Sequence, residues 1–431
     1  VNAASRRVQR TYLLLLLLHT LAGSFIWGIN TLFLLDAGLT NTEAFAANAF
    51  FTAGLVLFEI PTGVVADTRG RRRSYLLGTL TLAAATLLYY LMWLVSAPFW
   101  AWAVTSVFLG LGFTFFSGAV EAWLVDALTF RGYFREGGKL ESVMARGEIV
   151  EGVAMLAGSV AGGVLAQATN LGIPYLVRAL ALVCSFLVAF RAMRDLGFTP
   201  HRDKRALDAV RLLLRATVEK GLRDPPVRWV MLAAPFTGGV MIYAFYAMQP
   251  YLLELYENER AYAVAGLAAA IVAGAQIAGG LLVPHAGRLF ARRTSVLLLG
   301  TSLSALVLAV AGLLPRFWVV IVMLMLWGLM FAALAPVRQA YLNEQIGSQQ
   351  RATVLSFDSL LSSGGGVVIQ PILGRAADVW GYPASYVVSG VLQALSIPFL
   401  WAARRQRASA DDMHGPSVLE SADTGKTGGV P

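Results

Sequence analysis

The sequence predicts an all-α integral membrane protein with twelve spanning helices in two groups of six. Three observations lead there. Only 14% of the 431 residues are charged, while 57% are hydrophobic and mean hydropathy is +0.65; soluble globular chains carry about 25% charged residues. Apolar runs long enough to cross a bilayer core recur along the whole chain, each needing about 20 residues at roughly 1.5 Å per residue. Once these runs are threaded with both termini on the cytoplasmic side, 30 of the 34 Lys and Arg residues fall on that side, the positive-inside distribution. The same spread of charge argues against nucleic-acid binding despite a net charge of +9, because the basic residues lie along one membrane face and not in a groove.

The spans follow in order: 11–35, 45–65, 75–95, 98–122, 142–167 and 172–192, then 228–254, 262–284, 294–314, 317–339, 352–374 and 382–403. The first is too long for a cleaved signal, lacks a small-residue cleavage pattern, and runs on through Trp27 and Asn30 to Leu35. The fourth and fifth shade into the charged stretch from Asp126 to Glu151. A basic connection, 193–227, separates an N-terminal half (1–192) from a C-terminal half (228–403). Within it, 206–220 places Leu207, Val210, Leu213, Leu214 and Val218 on one side of a helix. This pattern suits a segment lying on anionic inner-leaflet lipids. The tail, 404–431, is rich in Ser, Asp and Gly and reads as disordered.

Enzyme and cofactor signals are missing. The lone Cys184 allows no disulfide or cysteine cluster. His19, His201, His285 and His414 have no metal-ligand spacing, so no metal is expected. Gly425, Lys426 and Thr427 resemble the end of a phosphate loop, but Glu420 stands where its first Gly belongs. There is no Gly-x-Ser-x-Gly pattern. The large excess of Arg over Lys fits a GC-rich bacterial genome, hence a bacterial cytoplasmic membrane.

Gly63, Asp67, Gly70, Arg71, Arg72 and Arg73 are spaced as Gly-x-x-x-Asp-x-x-Gly-Arg-Arg-Arg between the second and third spans. With twelve spans around them, the chain resembles the major facilitator superfamily, whose signature occupies this position. A faint echo, Gly280, Gly287 and Arg288, follows the eighth span 217 residues later. The resemblance implies a monomeric secondary transporter of a small molecule that works by alternating access. It also implies an inner-side latch, with Asp67 near the start of the eleventh span and Arg71 directed toward Asp126. In physical terms, Gly63 would allow close helix contact, Gly70 a positive φ, and Asp67 a cap for a helix N-terminus. Two departures stand out. The arginine of the family's fourth-span pattern is Ser106, and the fifth-span antiporter pattern appears as Gly158, Ser159, Gly162 and Gly163 without its proline.

An ionisable group at the centre of a spanning helix costs roughly 2.5–3.5 kcal/mol on insertion scales, so the few present are candidates for function. Glu59 and Asp358 are candidate proton-coupling carboxylates, and Glu121 could bind a proton or a cationic substrate. Each could equally satisfy a neighbouring helix end or cation. Glu148 and Glu151, three apart, bring like charges together. Arg178 either snorkels to headgroups or serves as a counter-ion facing a cavity. Trp27, Asn30, Phe113, Phe116, Phe236, Tyr243, Tyr246, Gln249, Trp327 and Phe331 fall on spans one, four, seven and ten. Such a lining suits an amphipathic or aromatic compound better than a sugar. The expectation is proton-coupled efflux of a small amphipathic organic compound. Uptake of a small metabolite, or a non-transporting receptor on the same fold, are the alternatives.

Overall fold

The computed structural model describes residues 2–116, 118–200, 223–346 and 348–413. The expected linker helix 206–220, the side chain of Arg288 and the tail past 413 lie outside the described residues. Asn2 opens α1 (Ala3–Trp27) by accepting the Ser5 N–H at 2.7 Å, and is itself held by Glu136. After a break come α2 (Asn30–Asp36) and α3 (Asn41–Arg69), the latter started by a capping box of Thr40 with Glu43. The series continues with α4 (Arg71–Leu94), α5 (Phe99–Thr114), α6 (Ala119–Phe130), α7 (Leu140–Ala168) and α8 (Ile173–Ala192). Then follow α9 (Pro225–Leu255), α10 (Tyr262–Leu289), α11 (Arg293–Leu313), α12 (Phe317–Gln345), α13 (Ser348–Ala394) and α14 (Ile397–Arg405).

Eleven helical stretches among the described residues are long and apolar enough to cross a membrane. The last, Val354–Arg405, has 52 residues, about twice a bilayer's thickness at 1.5 Å per residue. It breaks at Gly381, where φ is +80°, and so holds two spans. Large apolar side chains such as Leu57, Leu80, Trp100, Leu281 and Trp318 stand exposed; in lipid this is their stable position.

Three sequence expectations need correction. The first span is two helices, α1 and α2, interrupted at Gly28–Ile29. The fourth is also two, α5 and α6, because Gly118 adopts a left-handed conformation (φ +66°) that ends one helix and starts another. The described part of the tail, as far as Met413, is ordered. Ser409–Asp411 form a 3-10 turn, and the Asp411 carboxylate accepts the Thr294 N–H at 2.8 Å and its hydroxyl at 2.9 Å, capping the first turn of α11. Low hydropathy suggested disorder there, but one buried cap outweighs it locally.

The chain forms two compact units. Among the described residues, the first comprises those up to 200 and 245–271; the second comprises 223–244 and those from 272 to 413. The end of α9 and the start of α10 thus pack with the N-terminal helices, although hydropathy groups them with the C-terminal ones. Small residues explain the close packing. A side chain at Gly158 or Gly162 of α7 would collide with Ser24 or the Phe25 carbonyl of α1, and Gly163 of α7 lies against Gly266 of α10. The first unit's core includes Tyr12, Tyr75, Trp123, Phe33, Trp102 and Tyr175. The second is built on Val227, Met231, Tyr341, Leu297 and Leu400.

Candidate functional site

The break between α1 and α2 leaves backbone groups unpaired inside a membrane segment, where no water can satisfy them. Gln249 of α9, fully buried, meets that need. Its Oε1 accepts the Thr31 N–H at 2.9 Å and its Nε2 donates to the Trp27 carbonyl at 2.6 Å. The Thr31 hydroxyl donates to the Tyr246 carbonyl at 3.0 Å. Asn30 donates to Asn48 (3.2 Å) and accepts from the Tyr175 hydroxyl (2.9 Å). Trp27, Asn30, Tyr246 and Gln249, expected to line a substrate cavity, thus form a polar joint at the break.

A cavity of about 340 Å³ opens within the first unit. It is lined by Leu15, Leu16 and His19 of α1, Leu55 and Glu59 of α3, Tyr75 of α4, Phe113 and Thr114 of α5, Phe116 and Gly118 of the connecting turn, Val120 and Glu121 of α6, and Glu151 of α7. The broken fourth span shapes it, because the left-handed Gly118 turns the chain and sets Glu121 in the first turn of α6. Beside Pro61, which cannot donate a backbone hydrogen bond, the Thr62 hydroxyl contacts the Phe58, Glu59 and Thr114 carbonyls at 2.8–3.2 Å. This fastens α3 to the end of α5 next to Glu59. His19 packs edge-on against Phe113 (5.8 Å between centroids) and against Phe116 (4.3 Å). Its Nδ1 is buried with no hydrogen-bond partner among the described residues. Glu121 and Glu148 both lie within electrostatic range of Glu151. No group of three His, Cys, Asp or Glu among the described residues is arranged to hold a metal.

Arg178 of α8 does not snorkel. It is 4% exposed, and its Nε donates to Thr86 of α4 at 3.1 Å. Tyr89, Tyr175, Tyr246 and His19 lie within its electrostatic range. Tyr89 bonds Ser106 at 2.5 Å, so the polar group at the fourth-span arginine position belongs to this buried cluster.

The signature loop is organised around a further carboxylate, Asp195. Gly70 has φ +104°, and the Asp195 carboxylate occupies the space a side chain would need. Asp195, not Asp67, caps α4, accepting the Arg72 N–H at 2.8 Å, a favourable place for an anion. Asp67 pairs with Arg71 at 2.8 Å, one turn along, and the start of the eleventh span expected beside it has side chains outside the described residues. Arg72 donates to the Phe190 carbonyl at 2.6 Å and stacks over its ring, while Arg73 is exposed. Asp126 lies in electrostatic range of both Arg71 and Asp195. A Cβ at Gly63 would meet nothing within 4 Å, so the close contact expected there is absent among the described residues.

In the second unit the expected residues serve packing. Tyr243 is buried and donates to Ser385 at 2.7 Å. Phe236 stacks on Phe399, and the buried Trp327 stacks on Phe331. Asp358 is held by both terminal nitrogens of Arg338 at 2.5 Å. Arg293 grips Glu344 in the same bidentate way.

The family profile described as Major Facilitator Superfamily matches residues 12–291 and 261–416. The chain belongs to the major facilitator superfamily. It is a multi-pass membrane transporter, not an enzyme. No curated protein matches in sequence. Its fold is similar to that of a mutant of the nucleoside transporter NupG, at 10% identity and TM-score 0.79, covering 92% of this chain and 99% of that one. It is also similar to a bacterial homolog of the human lysosomal transporter Spinster (14% identity, TM-score 0.72, covering 95% and 99%). A D-xylose–proton symporter matches at 14% identity and TM-score 0.64, covering 92% and 96%.

Within this superfamily member, sequence reasoning passed over three site residues. His19 was weighed only as a metal ligand, yet it directly follows a run of six leucines inside a spanning helix, which is signal enough. Arg338 was counted as one of many topological arginines. Asp195 has no local signal, because its partner Arg72 is 123 residues away.

Proposed function

We propose that this transporter exports a small amphipathic organic cation from a bacterial cytoplasm in exchange for protons, by alternating access. The observation that carries the reading is the cavity of the first unit, where Glu59, Glu121 and Glu151 converge beside His19, Phe113 and Phe116. Carboxylates sharing one site repel when all are ionised, and either a proton or a substrate cation relieves that repulsion. Two ligands competing for one cluster is the physical basis of exchange. The aromatic rings add cation–π attraction, about 0.5–2 kcal/mol when desolvated, and exclude water from the apolar part of the substrate. Asp358, already neutralised by Arg338, is less suited to this role. The proposed coupling therefore rests on the first unit alone.

The test is flux of tetraphenylphosphonium in proteoliposomes with an imposed proton gradient. The expected result is uphill movement against the proton flow, lost in Glu121→Gln/Glu151→Gln. Flux insensitive to the gradient would remove the coupling. Movement in the same direction as the protons would favour uptake, and no flux at all would favour the receptor alternative.

A further inference from the structure

We infer that Arg178 is the anion-binding subsite of the same cavity system, so that the preferred substrate is amphoteric, with an anionic group, most simply a carboxylate, as well as a cationic one. The inference rests on the cationic reading above and adds the second charge.

The argument begins with an incomplete hydrogen-bond inventory. A guanidinium has five N–H donors and stays charged at any accessible pH. Arg178 is 4% exposed, yet it has one hydrogen bond, from Nε to Thr86. Its two terminal nitrogens have no protein acceptor, and no carboxylate stands within ion-pair distance, among the described residues. Burying such a charge costs several kcal/mol unless a counter-charge and further hydrogen bonds repay it. The second unit shows what compensation looks like in this chain, since Arg293 and Arg338 each hold a carboxylate with both terminal nitrogens.

The surroundings of Arg178 are polar without being anionic. The Tyr89 hydroxyl is engaged by Ser106 and that of Tyr175 by Asn30, and neither makes a hydrogen bond to the guanidinium among the described residues. The planar fork that remains open matches a carboxylate in bidentate geometry.

The second observation is position. Leu82 of α4 fills the space beside Gly112, next to the cavity residue Phe113. Thr86, the partner of Arg178, is four residues further along α4, which places it about 6 Å away along the helix axis. His19 forms part of the cavity wall and lies within electrostatic range of Arg178. The buried Nδ1 of His19 has no partner among the described residues and can receive a polar group of a ligand that passes it. An acidic cavity, a histidine of its wall on α1 and an unpaired arginine of α8 held to α4 are thus neighbours. A ligand carrying an amine at one end and a carboxylate at the other fits that arrangement.

The test uses three probes with one aromatic body: benzylamine, benzoate and 4-(aminomethyl)benzoate. Thermal unfolding of the purified full-length chain reads their binding. The expected result is that 4-(aminomethyl)benzoate binds at least tenfold more tightly than benzylamine, and that Arg178→Gln abolishes this advantage while leaving benzylamine binding within twofold. Arg178→Lys, which keeps the charge but loses the fork, should retain part of it. Thr86→Val, which removes only the existing hydrogen bond, should retain most of it, and serves as the control for mere disturbance of the helix pair. Equal binding of benzylamine and the amphoteric probe, or an advantage that survives Arg178→Gln, would overturn the inference and leave the cationic reading standing. Failure of all three probes, together with no tetraphenylphosphonium flux, would overturn both.

Discussion

The two units treat charge inside the membrane in opposite ways. In the second, Arg338 is paired with Asp358 and Arg293 with Glu344, and Asp411 caps the first turn of α11. In the first, Glu121 and Glu151 face a cavity and Arg178 is buried with a single neutral hydrogen bond. Paired charges contribute to a framework; charges left open are held for something that arrives. The difference teaches that an intramembrane ionisable residue signals function only after its partner has been identified.

The largest effect that would break this comparison concerns transport. Glu121→Gln/Glu151→Gln should lower cation flux on the order of 100-fold, equivalent to about 3 kcal/mol of lost interaction, with no fall in the unfolding temperature. A matching fall in stability would show these carboxylates to be framework after all. Next, Arg338→Met should destabilise the fold by about 3 kcal/mol, because it leaves Asp358 buried without its counter-charge. The double variant Arg338→Met/Asp358→Leu should regain most of this in chemical unfolding; no recovery would mean the pair is not what Arg338 contributes. Gln249→Leu sharpens the contrast within the first unit. It strands the Trp27 carbonyl and the Thr31 N–H and should cost about 2 kcal/mol, read in the same assay. Last, Asp411→Ala removes a helix cap and should cost about 1 kcal/mol.

The spans were legible in the sequence because twenty apolar residues can do little else in a bilayer. The breaks at Gly28–Ile29 and Gly118 were not, since hydropathy counts side chains and is blind to which backbone groups find partners. Gln249 was recognised as a residue of interest on the seventh span, but its role depends on a helix end 218 residues away in the chain. Arg178 was left open between two readings for a related reason. Depth along a helix suggested that it reaches the surface, whereas the direction of its side chain is set by Thr86, 92 residues distant. The acidic cavity was half legible. Glu59 and Glu121 stood out as charges in apolar runs, but that they share one space with Glu151 and His19 is a property of the packing.

The cap on α11 bears on how the chain is made. Thr294 emerges from the ribosome long before Asp411, which is 117 residues later. At 5–20 residues per second that separation lasts on the order of 10 s. During that interval the first turn of α11 is in the membrane without its cap, and Arg293 is without the Ala410 carbonyl it will hold. The second unit therefore closes only when Ala410 and Asp411 arrive. A chain interrupted before them would expose an unfinished helix end to the cell's proteases.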